Sequence, residues 1–189
     1  MDIIIPKKMG REAMLVEETP VWKKRLSGSD GCRENGGSVD HEAFMRVALA
    51  QAALGKSAGE VPVGAVVVHQ GKVIGVGFNQ PISAHDPTAH AEVVALRAAA
   101  AAIGNYRLTD ATMYVTLEPC LMCVGAMVHA RIALVVYGVA EPKSGALQSM
   151  TNAHELPGLN HRLNTLGGVL ERESRDLLQA FFRERREAC

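Results

Sequence analysis

Cysteine is scarce in this chain, and long apolar runs are missing. Of four cysteines in 189 residues, Cys32 and Cys189 lie near the ends, far from Cys120 and Cys123. A disulfide framework is therefore not expected, and the thiol usage suits a reducing compartment. Ile3-Ile4-Ile5 is too short for the core of a signal peptide, and nothing approaches the ~20 apolar residues of a membrane helix. A soluble, cytoplasmic protein with no membrane partner is expected. Net charge is absent too, since 20 Lys and Arg balance 20 Asp and Glu. Residues 1–39 hold seven basic and six acidic side chains, which leaves thirteen against fourteen in 40–189. That excludes the basic body of a strong non-specific nucleic-acid binder. Any RNA contact must be local, and the concentrated basic edge is Arg183-Glu184-Arg185-Arg186. The same run also suits an ordinary solvated helix end.

Apolar residues make up 48% of the chain, enough to fill the core of one domain. Residues 1–39 show no sustained period and contain Ser27-Gly28-Ser29-Asp30-Gly31 and Gly36-Gly37-Ser38, so they read as a flexible N-terminal extension. From Asp40, an N-cap candidate, Met45, Ala48, Leu49 and Ala52 follow helical spacing. Pro62–Val68 and Lys72–Asn79 flank His69-Gln70-Gly71 as a hairpin, with His69 beside the turn. A polar loop, Pro81–Ala89, precedes a helix over 90–103. Strand Met113–Leu117, helix Cys120–Ala130 and strand Ala133–Tyr137 imply a right-handed parallel crossover. A short strand near Arg162–Thr165 and a helix from Leu170 to Arg186 complete residues 40–189. The expected class is α/β, with helices on both faces of a sheet.

Within this order stand His90-Ala91-Glu92 and, thirty residues after the histidine, Pro119-Cys120-Leu121-Met122-Cys123. One imidazole and two thiolates are three ligands of the kind Zn²⁺ takes, with the fourth tetrahedral position left to water. A closed structural site would want a fourth Cys or His at ligand spacing, and none is nearby. One zinc per chain, held by His90, Cys120 and Cys123, is expected. Glu92, two residues from the first ligand, is placed to move protons without binding metal, as general acid–base catalysis requires. Each half alone is weak, because redox pairs share the CxxC and H-x-E is common; their coincidence is specific. Both halves open helices at strand ends, where sites in open α/β sheets gather and thiolates are favoured.

H-x-E followed by P-C-x-x-C resembles the signature of the zinc nucleobase deaminases. More of the chain shares a narrower likeness: Val61-Pro62-Val63-Gly64-Ala65, Asp86–Glu92, Asn105-Tyr106-Arg107-Leu108, Tyr114–Cys123, Asn160-His161-Arg162 and Phe181-Phe182-Arg183. From about residue 40 to 187 it resembles the bacterial tRNA-specific adenosine deaminase family of the cytidine deaminase-like superfamily. The resemblance implies a three-layer α/β/α domain around a five-stranded mixed sheet. It further implies a homodimer that converts adenosine to inosine at wobble position 34 of a tRNA anticodon, chiefly of an arginine tRNA. By the same likeness Asn79 hydrogen-bonds the flipped purine, Ala91 offers it a backbone N–H, and Lys143 and Ser144 lie along the anticodon backbone. His85 and Asp86 occupy a loop where the family contacts RNA. Asn79 equally suits a strand-end turn, and Lys143 a plain exposed turn. Glu118 either supports a ligand or closes a strand end, the second being preferred. Glu141 stands where the family often has Asp, so no ribose contact is carried over to it.

In the last helix, Leu170, Leu177, Leu178 and Phe181 share a face expected to meet the sheet, which turns Phe182 toward Arg183, Arg185 and Arg186. That rim would stack an anticodon base and meet phosphates. Val124–Met127 reads as an outward apolar side of the zinc helix, suited to a second subunit. The competing readings are deamination of free guanine, more distantly of cytidine, and a silent RNA-binding protein that keeps its zinc for stability. Glu92 argues against the last. The stretch Asn105–Glu118 and the C-terminal segment favour RNA over a free base.

Overall fold

The computed structural model describes residues 39–187; the expected extension, apart from Val39, lies outside the described residues. Asp40 caps helix α1, His41–Ser57, its carboxylate accepting the Ala43 N–H at 3.0 Å. The chain then forms β1, Gly64–His69, and β2, Lys72–Phe78. Their tight turn places Gln70 and Gly71 at φ of 51° and 72°, both left-handed as a two-residue hairpin turn demands. Next come α2, Ala91–Ile103, β3, Thr112–Leu117, α3, Leu121–Ala130, and β4, Leu134–Val139. A single 3₁₀ turn, Ala153–Glu155, strand β5, Asn164–Leu166, and helix α4, Glu171–Glu187, follow.

The sheet order is β2-β1-β3-β4-β5. The first three strands pair antiparallel, and β3, β4 and β5 pair parallel. Strand alternation divides the core. Val66, Val68, Tyr114 and Val136 pack with Met45 and Ala48 of α1. Ala65, Val67, Met113, Val115 and Val135 pack with Ala91, Ala95 and Ala99 of α2 and Cys123, Val124 and Met127 of α3. Each fully buried aliphatic side chain adds about 1.5–3 kcal/mol. Helix α2 seats on β2 because two glycines let it approach. A Cβ on Gly75 or Gly77 would lie 2.4 or 2.5 Å from the carbonyl oxygen of Ala95 or Ala91.

Two expectations change here. Val124 and Met127 are buried in their own chain, so the outward stripe of α3 is Leu121, Met122, Gly125, Ala126 and His129. The reason is helical phase: the face that presents Cys123 to the site also presents Val124 and Met127 to the sheet. Leu170 precedes α4 rather than opening it, with φ of 51°, and packs in the α1-side cluster.

A candidate zinc centre at the strand ends

His90 and Cys120 are the N-cap residues of α2 and α3, both extended. Their carbonyls accept the first helical bonds, from Val94 and Val124, each at 3.0 Å. Cys123 lies one turn further along α3 and is fully buried. This geometry brings three donor atoms together. Cys120 Sγ lies 3.7 Å from Cys123 Sγ and 3.7 Å from His90 Nδ1, and Cys123 Sγ lies 3.6 Å from that nitrogen. Zinc–sulfur and zinc–nitrogen bonds of about 2.3 and 2.05 Å in a tetrahedron require edges of about 3.8 Å between sulfurs and 3.6 Å between sulfur and nitrogen. The triangle is thus one face of a zinc tetrahedron, with the fourth corner free of protein donors among the described residues.

Protonation fits the same group. Hydrogen bonding from Cys123, with help from the His90 ring, lowers the Cys120 thiol to about 4. The same bond and burial push Cys123 up. The bond to Cys120 raises His90, against the opposing effect of its burial. Zinc held by these three side chains would displace the protons they carry, as metal binding to such donors does. Glu92 occupies the first turn of α2, is only 4% exposed, and is not among the donors. Burial raises its carboxyl above the ordinary glutamate range.

Asn79 ends the β2 edge, and its Oδ1 accepts the Ala91 N–H at 2.9 Å. That donor is a backbone amide, so the orientation of the side-chain amide follows and Nδ2 is the face left for a ligand. The Ala91 N–H expected to meet a base is directed at Asn79 instead. The loop before His90 is pinned at its base by Gln80 N–H to Ala89 O, 2.9 Å. Asp86 accepts the Thr88 N–H and hydroxyl at 2.8 and 2.7 Å, while His85 is exposed. Glu60, buried and missed by the sequence reading, accepts the Ser83 N–H at 2.7 Å and the Ile82 N–H at 3.4 Å from this loop. Nothing local marks it, since its donors lie more than twenty residues away.

At the C-terminal ends of β3 and β4 a cavity of about 190 Å³ is lined by Val61, Leu117, Glu141, Arg175, Leu178 and Phe182, among others. Phe182 is 45% exposed, while Phe181 is buried against the domain. Arg175, seven residues before Phe182 on the same helical face, was legible from spacing but not singled out. Arg183 and Arg186 are exposed. Arg185, expected to meet phosphate with them, is exposed too but is already engaged within the chain. Its guanidinium donates to Gly59 O at 2.6 Å and lies 5.1 Å from the Phe181 ring centre. It braces α4 on the end of α1, together with the Lys56–Glu184 ion pair at 2.7 Å. Lys143 is exposed, and the Glu141 side chain accepts its N–H at 2.9 Å.

A family model described as MafB19-like deaminase matches residues 39–186. The tRNA-specific adenosine deaminase of Haemophilus influenzae is 47% identical over 147 residues, covering 77% of this chain and 85% of that protein. The chain belongs to the tRNA-specific adenosine deaminase family. This deaminase is also similar to a solved structure from work on A-to-I editing by tRNA:A34 deaminases at the wobble position of transfer RNA. There the TM-score is 0.70 at 41% identity, covering 72% of this chain and 99% of that one. Similarity extends to a guanine deaminase from Bacillus subtilis, at TM-score 0.51 and 43% identity, but over only 53% of this chain and 65% of that one. The five-stranded mixed sheet flanked by helices agrees with the expected α/β class.

Proposed function

We propose that this deaminase converts adenosine to inosine at wobble position 34 of a tRNA anticodon, chiefly of an arginine tRNA, by zinc-dependent hydrolysis. The observation that carries the reading is the donor triangle of His90, Cys120 and Cys123 with the buried Glu92 carboxyl beside it. It stands in a chain that matches tRNA-specific adenosine deaminases over three quarters of its length. The chemistry that zinc supplies when bound there is activation of water toward hydroxide near neutral pH. Glu92 accepts the water proton on a carboxylate oxygen and passes it to the purine ring nitrogen. It then takes the remaining proton of the hydroxyl added to the ring and delivers it to the exocyclic amine, which leaves as ammonia, the balance being adenosine plus water to inosine plus ammonia. Asn79 Nδ2 offers a donor to the purine. Phe182, over its cavity, offers a ring to a neighbouring base, and Arg183, Arg186 and Lys143 meet the backbone.

A homodimer working in the cytoplasm fits this reading. In support, α3 presents Leu121 and Met122 outward, 59% and 38% exposed, and a Cβ on Gly125 would meet nothing within 4 Å. Among the described residues no helix is long and apolar enough to cross a membrane. The partial likeness to a guanine deaminase keeps free guanine as the second reading. An anticodon stem-loop with adenosine at the wobble position, assayed beside free guanine and cytidine, separates them. Inosine in the stem-loop with no turnover of the free base is expected, and deamination of guanine alone would overturn the proposal.

A further inference from the structure

Glu118 immediately follows β3, two residues before Cys120, and it is 3% exposed. A carboxylate that merely closed its own strand would take donors from nearby. Glu118 takes all of its hydrogen bonds from residues 23 to 31 positions downstream. One oxygen accepts the N–H groups of Leu147, Gln148 and Ser149 at 3.1, 2.8 and 2.9 Å. The other accepts the Glu141 N–H at 3.0 Å and the Ser149 hydroxyl. Successive backbone amides converging on one anion form a nest, and charge-assisted bonds of this kind are the strong ones. None of these bonds reaches His90, Cys120 or Cys123.

The same loop is stitched to the zinc-ligand segment by backbone. Ala146 N–H donates to Pro119 O at 2.8 Å, and Gly145 forms an isolated bridge with Cys120. Gly145 must be glycine for this closeness, since a Cβ there would lie 2.4 Å from the Glu118 carboxyl carbon and 2.6 Å from Glu141 O. The loop carries Lys143, exposed near its tip, and Glu141, which lines the cavity under Phe182.

We propose that Glu118 is a positioning residue: it clamps the Glu141–Ser149 loop onto the Pro119–Cys120 segment, and so sets where Lys143 meets the RNA backbone relative to the zinc ligands. The RNA half of this statement rests on the tRNA reading above; the clamp does not. A carboxylate suits the task because it only accepts, so the donors converging on it are all satisfied at once. Glutamine in its place would point an NH₂ at N–H groups and release part of the loop.

The test uses zinc-loaded protein and two independent readouts. Amide hydrogen exchange at Glu141, Leu147, Gln148 and Ser149 is expected to quicken at least about tenfold in Glu118→Gln. Ser149→Ala, which removes one donor, and Gly145→Ala, which crowds the carboxylate from outside, should act in the same direction. Unchanged protection in all three variants overturns the clamp without touching the tRNA reading, and it stays decisive even if Glu118→Gln folds poorly. KM and kcat on the wobble-adenosine stem-loop give the second readout. Glu118→Gln and Lys143→Ala should each raise KM with kcat little changed. The double variant should be no worse than the poorer single one, because residues acting through one contact are non-additive. Strictly multiplied effects, or a fall in kcat at constant KM, overturn the positioning role. A wild-type KM in Lys143→Ala overturns the Lys143 contact alone, while exchange still decides the clamp.

Discussion

The four side chains of the metal site come from two helical turns, His90–Glu92 and Cys120–Cys123. The cavity at the same strand ends is walled by residues that run from Val61 through Leu117 and Glu141 to Phe182. The first region is local. Its two helix starts set the donor triangle once α2 and α3 seat side by side on the sheet, and the interior is protected by the buried faces of both helices. The second region is assembled from distant stretches and closed by α4, whose last turns depend on the Arg185–Gly59 and Lys56–Glu184 contacts. The donor triangle is held by two helix starts, and the cavity by packing between many distant stretches. Mutations in the two regions should therefore have different signatures.

The largest effect belongs to the metal face. Cys120→Ala removes one donor of the triangle and is expected to lose zinc and all measurable deamination. A ligand bound a thousandfold above its Kd contributes about 4 kcal/mol of stability, so the melting temperature should fall sharply. Elemental analysis and calorimetry check this, and stoichiometric zinc in a variant lacking all three donors would break the assignment. Next comes Glu92→Ala, which should keep zinc but lower kcat by at least about 10²–10⁴-fold, the scale of acid–base catalysis. More than a few per cent of wild-type turnover would mean that the proton moves by another route.

The recognition side should respond more gently. Phe182→Ala is expected to raise KM for the stem-loop by about 5- to 150-fold, the equivalent of about 1–3 kcal/mol for one stacked base, with kcat and zinc retained. Arg183→Ala and Arg186→Ala should each flatten the salt dependence of binding by about 0.7 in the logarithmic slope, as loss of one single-strand phosphate contact does. Arg185→Ala sharpens the comparison from the other direction. It should lower the melting temperature and leave the salt slope alone, because its guanidinium, though exposed, is engaged by the Gly59 carbonyl and the Phe181 ring. A flattened slope in Arg185→Ala with unchanged stability would reverse that division.

The smallest effect is a pH dependence at Glu60, which ties the loop before His90 to the end of α1. Burial by itself would raise its carboxyl, but the Ser83 and Ile82 hydrogen bonds and the nearby Arg185 charge more than offset it, so the folded value lies below the ordinary 4.5. A depressed folded value stabilises fully above the unfolded value and loses that contribution as pH falls through the folded one. Wild type should therefore outlast Glu60→Gln in thermal melts near neutral pH, and the gap should close as the solution is acidified below pH 4.5. A gap that stays constant to low pH would show that Glu60 contributes by packing alone.

Much of this was readable in the chain itself. Helical spacing from Met45 to Ala52, the hairpin around Gln70-Gly71 and the strand–helix–strand run from Met113 to Tyr137 all correspond to structural elements, with ends displaced by one or two residues. The His90, Glu92, Cys120 and Cys123 pattern was legible because each half lies within a single turn. The failures share one physical cause. Val124 and Met127 looked outward-facing on a composition argument, yet the phase of α3 against β3 and β4 buries them. Arg185 looked free among exposed arginines, yet the carbonyl of Gly59, far away in the chain, engages it. The single turn at Ala153–Glu155 was too short to leave a period.

Sequence alone determined the His90, Glu92, Cys120 and Cys123 pattern and the α/β order, because these rest on side-chain chemistry and on spacing within single helical turns and strands. Tertiary structure alone decided that Arg185 reaches the Gly59 carbonyl, that Asn79 holds the Ala91 amide, and that Glu118 gathers a loop from far downstream. Each of those outcomes depends on where two distant backbones meet, and the direction of a hydrogen bond across such a meeting leaves no trace in local composition or period.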